Sequence, residues 1–128
     1  QAHMALAVIG EGEVFYNGDG YSDNIVADST RYALLLANNL YTANYLSTLY
    51  AAAFVTVSEF PSHSSSLASN LIHNLVDGSG ILSAGLTVQV VEGFQIGPTL
   101  ALYYGADSSE YLQSGYGLSL LMQGILSF

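Results

Sequence analysis

A chain of 128 residues and 13.5 kDa is one domain's worth of sequence. Its 51% hydrophobic content and mean hydropathy of +0.39 exclude an intrinsically disordered segment, which lacks that much apolar surface. Only 9% of residues are charged, and ten carboxylates face one basic residue, Arg31, for a formal net charge of -9 and an isoelectric point near 4.1. Such a field repels nucleic acid and anionic lipid, and the absence of cysteine excludes disulfides and thiolate chemistry.

The first four residues, ending in Met4, read as a cloning junction, which leaves 5–128 as a single globular domain. After an opening segment to Tyr16, Asn17-Gly18-Asp19-Gly20 is the strongest turn signal in the chain. Glu11, Glu13, Asp19 and Asp23 form an acidic patch that loses its repulsion as pH falls towards the isoelectric point. Asn17, Asp19, Tyr21, Asp23 and Asp28 have the spacing of a calcium loop, but Ser22 stands where the sharp turn needs glycine. A turn followed by a helix cap accounts for the same residues. Asp28 is then the cap of a helix running through Tyr32, Leu34, Leu35 and Leu36.

No formal charge occurs from Tyr32 to Ser58, yet Asn38, Asn39, Asn44 and Thr48 interrupt the run and no basic cluster flanks it, so a membrane helix is rejected. A second helix is expected from Asn44 through Tyr45, Leu49 and Ala53, and a third from Ser64 to Val76 on Leu67, Leu71 and Leu75. Phe54 to Phe60 and Leu86 to Val90 alternate like strands, although Leu86, Val90 and Phe94 also fit a helical stripe. The last helix opens on Asp107 with Glu110 three residues on, a capping-box spacing, and continues through Tyr111, Gly115, Leu118, Met122 and Ile125. The expected fold is all-α, a compact bundle of about five to six helices, with α+β and a small sheet as the competitor. Tyr32, Leu36, Leu71, Tyr111, Leu118, Met122 and Ile125 are its expected packing or assembly residues.

No constellation carries chemistry. His3, His63 and His73 have no carboxylate at metal-motif spacing, and no serine sits in a nucleophile elbow, so no catalytic, cofactor or metal site is expected. Asp28-Ser29-Thr30-Arg31-Tyr32-Ala33, Leu67-Ala68-Ser69-Asn70-Leu71-Ile72 and Asp107-Ser108-Ser109-Glu110-Tyr111-Leu112 onward to Gly124-Ile125-Leu126 resemble the globular modules of spider silk proteins. Having no cysteine and one arginine, the chain is most similar to their internal spacer or repeat domains, such as the minor ampullate type. The resemblance implies a secreted, non-enzymatic structural module. Its partners would be flanking repeats and other silk chains, with no nucleic acid and no membrane, and it would be a monomer or weakly self-associating. It would keep a fibre protein soluble and then help align it. The rival reading is a small-molecule binding domain with a pocket lined by aromatic residues.

Overall fold

The computed structural model describes residues 6–42, 44–113 and 117–127. It is a six-stranded antiparallel sheet in simple chain order: β1 (Ala7–Tyr16), β2 (Leu49–Ser58), β3 (Ser65–Asn74), β4 (Gly80–Val91), β5 (Phe94–Tyr104) and β6 (Leu118–Leu126). A single α-helix, α1 (Ser29–Ala37), preceded by the short 3-10 turn Ile25–Ala27, lies in the connection between β1 and β2. The expected all-α bundle is therefore overturned, and the sheet is far larger than the small one of the competing reading. The connections that follow β1, β3 and β5 leave from one end of the sheet, and those that follow β2 and β4 from the other.

The error has a physical origin. Residues four apart share a face in a helix and also in a strand, because four is a multiple of the strand period of two. Leu67 and Leu71 thus satisfy either reading, and they lie together on one face of β3. The gap of three from Met122 to Ile125 separates the two. In β6, Met122 pairs with Pro98 and Ile125 with Gln95, on opposite faces of the sheet, so the helical stripe does not exist. Gly115, the remaining member of that stripe, lies outside the described residues, as do the four residues of the presumed cloning junction. Of the expected helices only the first stands, and Asp28 caps it by accepting the backbone N–H of Arg31 at 3.2 Å.

Pairing is in register across the sheet, apart from a bulge between Gln89 and Val91, so each strand's alternation adds to its neighbour's. One face carries Val8, Val14, Val55, Leu71, Leu82, Leu86, Ile96, Leu100, Leu102, Leu120 and Met122. The other is mixed: it carries Glu11, Glu13, Thr56, Asn70, Asn74, Ser83, Thr87, Gln95, Thr99, Ser119 and Gln123 together with Ile9, Phe54, Ile72, Ile81, Leu121 and Ile125. Both carboxylates found within strands, Glu11 and Glu13, are on the polar face, and the other eight lie in the connections. The apolar face is uncovered: Leu100 is 48% exposed, Leu120 71% and Met122 62%.

The buried apolar cluster, Ile25, Leu35 and Leu46, sits instead inside the 17–48 connection, flanked by Tyr21, Val26 and Tyr41. The two ends of that connection are joined by Asn17 N–H donating to the Thr48 carbonyl at 2.8 Å and by a parallel bridge between Tyr21 and Ser47. Across the apolar face, Gly80 leaves the space through which Tyr104 stacks on His73 at 5.8 Å, their polar tips 2.9 Å apart. A Cβ at Gly80 would stand 2.3 Å from the Tyr104 hydroxyl and 2.6 Å from the Ile72 carbonyl oxygen, whereas one at Gly10 meets nothing closer than 3.9 Å. Gly80→Ala is accordingly expected to cost about 1–3 kcal/mol in urea unfolding. Gly10→Ala should leave stability unchanged or up to about 1 kcal/mol higher.

Candidate functional site

The long connections converge on one buried carboxylate, Glu110, only 3% exposed. Its Oε2 accepts from the Tyr50 hydroxyl and from Asn74 Nδ2, each at 2.8 Å, and its Oε1 accepts from the Asn44 backbone N–H at 3.0 Å. Tyr50 and Asn74 are themselves fully buried, on the polar face at the ends of β2 and β3. The Tyr50 hydroxyl accepts the Ser47 N–H at 2.8 Å, and Asn74 Nδ2 also reaches Ser47 Oγ at 2.7 Å. Asp77 closes the network. Its Oδ2 accepts the Glu110 N–H at 2.8 Å, and its Oδ1 accepts the N–H and hydroxyl of Ser79.

Each buried group in this network therefore has a partner, as burial of polar atoms requires. Burial pushes the Glu110 carboxyl above its ordinary value; the donors from Tyr50, Asn74 and Asn44 oppose the shift and repulsion from Asp77 adds to it. Burial, followed by the charge of Glu110, likewise pushes the Tyr111 hydroxyl up.

Beside Glu110 lies a cavity of about 690 Å³. Its floor is the polar face of the sheet at Asn70, Ile72, Ile81 and Tyr103, and α1 supplies Tyr32 and Leu36 as a wall. Tyr41, Tyr111 and Gln113 complete the rim, with Gln113 Nε2 donating to the Tyr41 hydroxyl at 2.9 Å. Tyr32 and Tyr41 meet edge to face, ring centres 6.3 Å apart. Phe15 stacks on Tyr50 at 5.0 Å on the same side of the sheet.

The expected site residues separate into distinct environments. Asp107 is exposed in a turn and caps nothing, and Glu110 is the hub of the network rather than a capping residue; Ser109 occupies the turn instead, bonding back to the Ala106 carbonyl. Tyr32, Leu36 and Tyr111 line the cavity, while Leu71, Leu118 and Met122 are on the apolar face and Ile125 is on the polar one. Leu118, Met122 and Ile125 are 61%, 62% and 43% exposed, so they do not pack a core within the chain.

The acidic patch does not form as a unit. Glu11 and Glu13 are exposed on β1, Asp19 is in the turn, and Asp23 pairs with Arg31 at 2.7 Å, which holds its carboxyl below the ordinary range. Sequence reasoning missed Tyr50, Asn74 and Asp77. Their partners lie 33 to 60 positions away, a distance at which local spacing carries no signal. Among the described residues no three metal-ligating side chains group together, and no helix is long and apolar enough to cross a membrane, a criterion that does not address strands. The chain matches no protein-family profile, no curated protein and no solved structure.

Asn74→Ala removes a donor from the Glu110 carboxylate and the acceptor of the Val76 N–H, and should cost about 2–3 kcal/mol. Hydrogen exchange should then speed up in 17–42 and 105–113 while the β4–β5 ladder stays protected. The raised Glu110 value also sets a direction with pH. Above it, the ionised group costs the folded state stability that the unfolded chain does not lose. Folding therefore gains from this site as pH falls through the raised value, levelling off below the ordinary 4.5. Relative to Glu110→Gln, which cannot titrate, the wild type should gain urea resistance between pH 7 and pH 5; a flat or falling difference would contradict this.

Proposed function

We propose that this chain is a segment of a transmembrane β-barrel, its apolar face against lipid acyl chains and its polar face lining a hydrated interior. The observation that carries the reading is the sorting of side chains. Six adjacent strands put no formally charged residue on one face and both strand carboxylates on the other. Outer-membrane-type barrels have this apolar-out, polar-in period of two. Strands of 9 to 12 residues also have the required reach, since about 9–11 tilted residues cross a hydrocarbon layer.

The ends support the same reading. Tyr16, His73 and Tyr104 stand on the apolar face at the end bearing the long connections, where amphipathic rings suit the headgroup level. Long connections at one end and short turns at the other are the usual asymmetry of such barrels. In a barrel the outer edges of β1 and β6 pair with further strands, since an open edge in hydrocarbon leaves backbone groups unsatisfied. The polar interruptions of the 32–58 run argue against a membrane helix and do not reach strands, and the negative charge that repels anionic lipid lies off the apolar face. Of the segments that carry the silk-module resemblance, 28–33 opens α1, but 67–72 and 118–126 are strands, so the helical bundle that reading implies is not the fold here.

Because the chain has no cysteine, single-cysteine probes test this directly. Fluorophores at Leu100→Cys and Met122→Cys should be quenched by nitroxide lipids after reconstitution into vesicles. At Thr99→Cys and Gln123→Cys they should be quenched by aqueous iodide. Equal aqueous quenching at all four, or failure of the protein to enter vesicles, would refute the reading.

A further inference from the structure

Among the described residues Glu110 is a buried charge without a counter-charge. Its three hydrogen-bond donors are all neutral, and the ion pairs among the described residues, Arg31 with Asp23 and His63 with Glu59, lie elsewhere. Among the described residues no Lys, Arg or His lines the cavity that Glu110 borders. Four tyrosines do, at positions 32, 41, 103 and 111, and the edge-to-face contact of Tyr32 with Tyr41 makes one corner of the cavity aromatic on two sides.

From this arrangement we infer that the cavity is a binding site for an organic ammonium ion, a cationic head carried on an apolar body. Tyrosine faces attract a cation through their ring quadrupoles, and a desolvated carboxylate in the wall adds charge complementarity. Ile72, Ile81 and Leu36 offer the apolar body a dry surface, and about 690 Å³ is room for a small ligand. A net charge of -9 also draws cations towards the protein from solution. Anions are disfavoured by Glu110 with Asp77 behind it. A zwitterionic phosphocholine headgroup would bring a phosphate that no cation here can receive. The site lies on the polar face, so the inference goes beyond the membrane reading and does not rest on it.

The test is titration calorimetry of the full chain in a nonionic detergent, with benzyltrimethylammonium, benzyl alcohol, benzoate and glycerophosphocholine as probes. Benzyltrimethylammonium should bind at least about tenfold more tightly than benzyl alcohol, and benzoate should not bind. Glu110→Gln should abolish that preference. Should that variant fail to fold, Tyr32→Leu on α1, which takes no part in the Glu110 network, should weaken ammonium binding about fivefold and alter benzyl alcohol less than twofold. Benzyl alcohol binding as tightly as the ammonium, or a preference unchanged in Tyr32→Leu, would overturn the inference. Glycerophosphocholine binding as tightly as benzyltrimethylammonium would overturn the assignment to a free ammonium ligand.

Discussion

Strand pairing imposes a period of two on the side chains, and in-register neighbours turn that period into two surfaces of different chemistry. Each of β2 to β5 is paired on both sides, so a slip of one residue in β3, β4 or β5 would move leucines onto the polar face and amides onto the apolar one. The sorting is what makes the register stringent, even though the apolar face is uncovered. Glycine contributes too: the bare position at Gly80 lets Tyr104 cross to His73 on the apolar face.

The end bearing the long connections obeys a different rule. There the apolar cluster around Ile25 is small, and order comes from a polar network in which Glu110, Asp77, Asn74 and Tyr50 satisfy one another. Such a network is strong only when complete, because a buried carboxylate that loses a donor keeps its desolvation cost. The same network holds the 105–113 segment above the polar face, and the tyrosine-lined cavity lies between that segment and α1. Packing at this end and the chemistry of the cavity thus come from one set of residues.

This changes the meaning of the acidic composition. The ten carboxylates are not a uniform dispersing charge: Asp23 is spent on Arg31, Glu59 bonds His63, and Asp77 and Glu110 are internal. Eight of the ten lie in connections, which leaves the apolar face uncharged. The high hydrophobic content likewise fills an outward face instead of an interior, and this is the property that favours a lipid surround.

Composition, the turn at 17–20 and the Asp28 cap were legible from the chain alone, because charge balance, turn chemistry and capping act over four residues or fewer. The alternation in 65–74 and 80–91 was also present in the letters, but leucines four apart, Leu67 with Leu71 and Leu82 with Leu86, suit helix and strand alike, and that shared spacing concealed it. Only the tertiary structure decided the strand order, the separation of Met122 from Ile125 and the role of Glu110. Pairing partners and buried hydrogen bonds join residues tens of positions apart, and no local spacing records which of them meet.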